Sequence, residues 1–286
     1  MPYANAKDGT DLYYKDWGTG TPVVLLHGWP LTGDTFDDAA LKLAESGYRC
    51  IIPDRRGFGR SDQPWDGYDY DTFADDVAAV LDDAEISEPV ALVGFSMGGG
   101  EVARYLTRFG PGKVTKAVLI SAVVPYMLKT DDNPDGVPQA TFDEMTAGMK
   151  QDRAAFFTGF FKDFFGKSVS DEVLQDAWRQ TMMAGLRPTL GAAKAFATTD
   201  FRPDLASFAG VPTLVIHGTA DKTVPIDATA RETAKALPGA KLIEYDGSAH
   251  GLFATDKERL IGDLLDFLGG AQASEQRSAI PLAQMV

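Results

Sequence analysis

Short apolar runs alternate along this chain with longer stretches whose apolar positions return every three or four residues. The runs are Val23 to Leu26, Cys50 to Ile52, Val90 to Val93, Ala117 to Ile120, Leu214 to Ile216 and Leu242 to Ile243. Strands separated by helices predict a mostly parallel sheet flanked by helices, the α/β class. Most of the runs are followed by Gly, Asp or Ser, and the loops at strand carboxyl ends are where an open α/β sheet holds its functional groups. The opening differs. Asp8-Gly9 is a hairpin signal followed by Leu12-Tyr13-Tyr14, which predicts an antiparallel pair at the start of the sheet.

Between about 123 and 200 the alternation stops. Asp131 to Gly136 is a loop of turn formers. A helical stretch follows in which Phe156, Phe157, Phe160, Phe161, Phe164 and Phe165 share one broad face. Burying that many rings calls for a partner element. The segment 123–200 therefore reads as a mostly helical cap over the top edge of a core made of 1–122 and 201–268, with most of the rings in ordinary packing. From Gly269 the chain, GGAQASEQRSAIPLAQMV, loses periodicity, and 269–286 reads as a mobile tail.

A chain of 286 residues, 44% hydrophobic and 24% charged, suits one large domain with an insertion and excludes wholesale disorder. A formal net charge of −14, from 41 acidic and 27 basic residues, repels phosphate backbones and anionic lipid, which argues against nucleic acid and membrane partners. No apolar run approaches the length of a bilayer span. The opening MPYANAKDGT lacks a basic segment followed by an apolar one, and Cys50 has no second cysteine to pair with. The expected compartment is the cytoplasm.

The strongest local signal is the run Val90 to Val93 leading into Gly94-Phe95-Ser96-Met97-Gly98, with a helical segment, Glu101 to Phe109, after it. Strand, G-x-S-x-G and helix in succession form the context of a nucleophile elbow. Glycines at 94 and 98 remove side chains that would collide with a strained turn, and Ser96 Oγ would project at the head of a helix. A serine hydroxyl needs a base, and the chain has three histidines. His27 and His217 each end an apolar run before Gly and read as structural, tying strand-end loops through ring hydrogen bonds. His250, in the polar turn Gly247 to Gly251 after the final strand, follows Ser96 on the same sheet edge and is the candidate base. Asp221, four residues beyond His217, is the candidate acid that orients it. Asp227 is its rival, with a helix N-cap before Ala228 as its expected role. Oxyanion donors are expected from the backbone N–H groups of Met97 and of Trp29, since Pro30 has no amide hydrogen. Phe160, Trp178 and Met182 are the candidate pocket walls. No cluster of His, Cys and carboxylates has metal-ligand spacing, so no metal or other cofactor is expected.

These segments resemble a known group. HGWPL at 27–31, DRRGFGRSDQP at 54–64, YDYDTFADD at 68–76, GFSMGGGEVARY at 94–105, LKTDDNPDG at 128–136, TDFRPD at 199–204 and HGTAD at 217–221 are similar to the cofactor-free (non-haem) haloperoxidases, or perhydrolases, and their arylesterase relatives. The resemblance spans roughly residues 4–268 and departs from the family after Gly270. It implies an α/β-hydrolase fold, the same triad and oxyanion residues, and structural roles at the strand end for Asp54 and Arg56. It also implies ester hydrolysis, peracid formation from a carboxylic acid and hydrogen peroxide, and halogenation as a secondary reaction of the peracid, with no haem or metal. A small-molecule ester or carboxylic acid is the expected substrate, and a homo-oligomer is open. Pro30, beside the oxyanion donor, reads either as a device that presents the Trp29 carbonyl to peroxide or as part of a tight turn. Ser96 argues against dehalogenases and epoxide hydrolases, which use aspartate at the elbow. Amide or γ-lactam hydrolysis, carbon–carbon bond hydrolysis and a non-catalytic ligand receptor with this fold are the alternatives the sequence leaves open.

Overall fold

In the computed structural model, residues 2–166 and 169–269 are described. Apart from the half-buried Leu242–Ile243 at the sheet edge, the apolar runs become strands covered on both faces: β3 (Thr21–Leu26), β5 (Val90–Phe95) and β7 (Thr213–Gly218) are buried along almost their whole length. Such continuous apolar runs are what a parallel sheet wrapped by helices requires. With β1 (Tyr3–Asn5), β2 (Asp11–Gly18), β4 (Tyr48–Pro53), β6 (Val114–Ile120) and β8 (Lys241–Tyr245) they form one sheet in the order β1-β2-β4-β3-β5-β6-β7-β8. β2 runs antiparallel to β1, as the Asp8-Gly9 turn requires, and also to β4, and the remaining pairs are parallel.

The strand order reverses beside β3, whose two neighbours are β4 and β5. Loops leaving β3 and β5 therefore part in opposite directions, and a crevice opens between them at the carboxyl edge. The register pairs Leu26 with Gly94, so the loop after Leu26 and the turn at Ser96 stand side by side. α1 (Asp37–Glu45), α2 (Tyr70–Asp83) and α3 (Met97–Phe109) are followed, after β6, by three helices in succession. These are α4 (Gln139–Phe165), α5 (Asp171–Met183) and α6 (Leu186–Thr198), and they interrupt the β/α alternation where the sequence pattern does. α4 is broken at Asp152 (φ −154°, ψ 92°), whose carboxylate accepts the Ala155 N–H at 3.0 Å and so caps the phenylalanine-bearing half. Gly166, at φ +60°, ends it.

α7 (Ala230–Ala236), α8 (Leu252–Thr255) and α9 (Lys257–Leu268) complete the fold. Asp227 does not cap α7. The helix begins three residues later, with Thr229 in the flanking position, and Asp227 is exposed in an ion pair with Arg231 at 2.6 Å. The expected mobile tail lies outside the described residues apart from Gly269. Among the described residues, no helix is long and apolar enough to cross a membrane.

Candidate active site

Ser96 sits between β5 and α3 with φ 55° and ψ −117°, a left-handed conformation that a side-chain-bearing residue adopts only under constraint. The constraint is visible in its neighbours. A Cβ on Gly94 would lie 2.4 Å from the Gly98 carbonyl oxygen, and one on Gly98 would lie 2.1 Å from that of Leu26. Only glycine lets the turn close this tightly against β3. The Ser96 N–H donates to Ile120 at 2.8 Å, and its carbonyl accepts from Gly99 and Val123 at 3.0 and 3.3 Å. The turn is thereby pinned to β6 and to the loop after it.

Three residues distant in sequence meet here. Ser96 Oγ and His250 Nε2 are 2.9 Å apart, and His250 Nδ1 and Asp221 Oδ2 are 2.6 Å apart. A carboxylate only accepts, so Nδ1 carries the hydrogen and Nε2 is left to accept the serine hydroxyl proton. The His250 ring is held between Phe95 and Phe164, with centroids 5.0 and 4.8 Å away. Asp221 Oδ1 accepts the N–H groups of Thr223 and Val224, each at 2.8 Å. Burial by itself raises the Asp221 pKa and is the largest single influence. The facing His250 and His217 together outweigh it and hold the carboxyl well below the usual carboxylate range, so Asp221 is an anion.

The loop after β3 supplies the facing wall. His27 Nε2 accepts the Arg55 N–H at 2.9 Å, which leaves Nδ1–H to donate to the Gly28 carbonyl at 3.0 Å. Burial, and after it the Arg55 guanidinium, pushes the His27 pKa well below the ordinary imidazole value, and the ring is neutral. The Leu31 N–H also donates to the Gly28 carbonyl, at 3.0 Å. That peptide unit carries the Trp29 N–H on its other side, so the two bonds fix its orientation. Among the described residues, neither the Trp29 N–H nor the Met97 N–H donates to a protein acceptor. Arg55 ties this loop to α3 by donating to the His27 carbonyl at 2.5 Å and pairing with buried Glu101. Asp54 and Arg56 are occupied elsewhere, Asp54 by Arg60 at 2.6 Å and Arg56 by Asp76 at 2.5 Å.

Ser96 opens onto a cavity of about 290 Å³ with mainly apolar walls, among them Trp29, Val123, Phe142, Phe156, Phe160 and Phe196. Of the three side chains expected to line it, Phe160 does. Trp178 and Met182 are not among its lining residues. α5 packs on α4, and the Trp178 indole N–H is turned to the Ala154 carbonyl at 3.1 Å, while Met182 packs against the core from a half-buried position. The phenylalanine face divides as well: Phe157, Phe161, Phe164 and Phe165 are buried, whereas Phe156 and Phe160 border the cavity. Sequence reasoning missed the part played by the Trp29 side chain. Its ring contacts Phe157, Phe160 and Phe196, and its indole N–H donates to the Thr189 carbonyl at 3.0 Å, joining the β3 loop to α4 and α6. It also missed the contact of His217 with Asp221, although their spacing of four in a strand-end turn was a usable signal. Among the described residues, no group of three or more His, Cys, Asp and Glu side chains is placed to hold a metal ion.

A family profile described as alpha/beta hydrolase fold matches residues 21–257. The chain is 45% identical over 275 residues to a non-haem chloroperoxidase of Kitasatospora aureofaciens, covering 94% of this chain and 99% of that one. It is 43% identical over 276 residues to a bifunctional esterase/perhydrolase of Acinetobacter calcoaceticus, again over 94% and 99% of the two chains. A crystal structure of a bromoperoxidase from Bacillus anthracis aligns with a TM-score of 0.90 at 43% identity, covering 94% of this chain and 99% of its own.

Proposed function

The chain belongs to the α/β-hydrolase fold family, beside non-haem haloperoxidases and an esterase/perhydrolase, and from that premise we propose that it hydrolyses small carboxylic esters through an acyl group on Ser96 and passes that group to hydrogen peroxide when peroxide is present. The observation that carries the reading is the hydrogen-bond chain from Ser96 Oγ through His250 to Asp221, opening onto an apolar cavity.

In this reading, Ser96 Oγ attacks the ester carbonyl carbon as its proton moves to His250 Nε2, and the Asp221 anion stabilises the imidazolium that forms. Charge developing on the carbonyl oxygen is met by the N–H groups of Met97 and Trp29, aided by the amino end of α3. Collapse expels the alcohol, which takes the proton from His250. Water or hydrogen peroxide then gives a proton to Nε2 as its oxygen attacks the acyl carbon. Ser96 Oγ leaves and recovers that proton, and the product is a carboxylic acid or a peracid. Starting from a carboxylic acid instead of an ester, the first half releases water. Oxidation of halide is then a reaction of the released peracid. The cavity walls favour small apolar or aryl esters over charged ones.

The test is a panel assay on purified protein with short aryl esters, γ-lactams, and acetic acid plus peroxide, with Ser96→Ala as control. Turnover of the esters and formation of peracetic acid, both abolished in the variant, are expected. Lactam turnover that exceeds ester turnover would move the assignment to amide hydrolysis, and peracid formation at full rate in Ser96→Ala would remove Ser96 from the chemistry.

A further inference from the structure

Asp221 faces two histidines, of which only His250 takes part in proton transfer. The other, His217, lies near the end of β7 and is fully buried. Its Nε2 is 2.9 Å from the Val224 carbonyl oxygen and 3.3 Å from Asp221 Oδ2. Both partners only accept, so Nε2 carries hydrogen and shares it between them. Nδ1 is buried without a hydrogen-bond partner among the described residues. An orphaned ring nitrogen in such a place is unfavourable, and packing alone would be served by a ring without nitrogens. Nε2 is what the position uses. Thr223 and Val224 hold Asp221 Oδ1 through their N–H groups. His217 approaches Oδ2, the oxygen that meets His250. Because Val224 both donates to Asp221 and accepts from His217, one imidazole joins the strand end, the 221–224 loop and the carboxylate.

We propose that His217 is a positioning residue for the acid: its Nε2–H holds Asp221 Oδ2 where His250 Nδ1–H meets it, and it thereby sets the rate of proton transfer without touching substrate. The inference rests on Asp221 serving as the acid of the proposed hydrolase.

Three variants of the full chain separate this role from packing, with kcat and KM measured on a short aryl ester and folding followed by circular dichroism. His217→Phe keeps a ring and removes both nitrogens. His217→Gln carries an amide N–H to about the place of Nε2, and His217→Asn reaches only the place of Nδ1. The Phe and Asn variants should lose kcat on the order of tenfold or more, the scale typical of groups that orient a functional side chain, with KM changed less than about twofold. The Gln variant should recover most of the loss. In an Asp221→Asn background, His217→Phe should add little, because the group it acts through is gone. If the Phe variant does not fold, the Gln and Asn variants decide the matter alone. Equal kcat in Gln and Asn overturns the inference, as does an undiminished effect of His217→Phe in the Asp221→Asn background. An Asp221→Asn single variant of near-normal activity overturns the acid assignment itself, so the two failures are distinguishable.

Discussion

The carboxyl edge of the sheet and the helical segment above it are built on opposite rules. At the edge, polar groups are buried and almost all are paired: Asp221 meets His250, His217 and two backbone N–H groups, and His27 meets Arg55 and Gly28. In α4 to α6 the wall of the same cavity carries the rings of Phe142, Phe156, Phe160 and Phe196, placed by packing against Trp29 and one another. Hydrogen bonds have fixed directions, so the edge can hold reacting atoms to a fraction of an ångström. Ring packing is less directional and tolerates changes of shape. Reaction type should therefore answer to the edge and substrate choice to the helices, and the two should respond differently to substitution.

The largest effect belongs to the edge. Ser96→Ala should lower ester turnover by on the order of a millionfold, the scale seen when residues that act as a unit lose one member, with unchanged circular dichroism. Residual activity near that of the parent protein would break the comparison at its first point.

Within α4, Phe160 and Phe164 lie one turn apart on the same face, with ring centroids 5.6 Å apart, yet meet different surroundings. Phe164 is fully buried against His250, so Phe164→Ala should cost about 3–5 kcal/mol in a denaturant titration. Phe160 is half-buried on the cavity wall, so Phe160→Ala should cost less stability and change KM for a bulky aryl ester more than for an acetate. Equal losses of stability, with no change in ester preference, would dissolve the distinction between the two rings.

A pH experiment probes the buried polar edge from another side. His27 is neutral in the fold because its pKa is pushed well below the ordinary value of about 6.5. Below about pH 6.5 the unfolded chain takes up a proton there that the folded chain refuses, so stability is fully present at higher pH and falls as the pH drops. The unfolding midpoint of His27→Gln, measured from about pH 6.5 down to 5, should therefore depend on pH less steeply than that of the parent protein. Parallel curves would contradict the neutral assignment.

Smaller effects are expected at the loop that joins the two regions. Pro30 follows Trp29, the proposed oxyanion donor, so Pro30→Leu should lower the yield of peracid relative to ester hydrolysis while sparing Ser96 and His250. A proportional fall in both products would mean that the residue only holds the loop. Chelators should leave turnover unchanged, since no metal-holding cluster exists among the described residues. Inactivation reversed by one added metal would refute that.

The same contrast explains what was legible in the sequence. The turn at Ser96 announces itself because Gly94 and Gly98 stand four apart around the serine, each demanded by a backbone approach below 2.5 Å, Gly94 within the turn and Gly98 against Leu26 of β3. With three histidines in the chain, pairing Ser96 with His250 and Asp221 needed only strand order. The helical insertion was legible as an interruption of the strand pattern, but not in detail. Trp178 and Met182 share a helical pattern with buried neighbours, and nothing local tells that α5 turns the indole to Ala154 rather than to the cavity. Asp227 looked like a helix cap because capping residues and ion-paired residues share a chemistry, and the choice fell to Arg231, four residues on. The bridging by the Trp29 ring is likewise a product of tertiary contact.

The most direct test of the central claim is covalent capture. Treatment with a fluorophosphonate that mimics the tetrahedral acyl-transfer intermediate, followed by peptide mass spectrometry, should give a single adduct on Ser96 in step with loss of ester turnover. The adduct should be absent from Ser96→Ala and form far more slowly in His250→Gln. Loss of turnover with the label on another residue, or labelling at the same rate without His250, would contradict it.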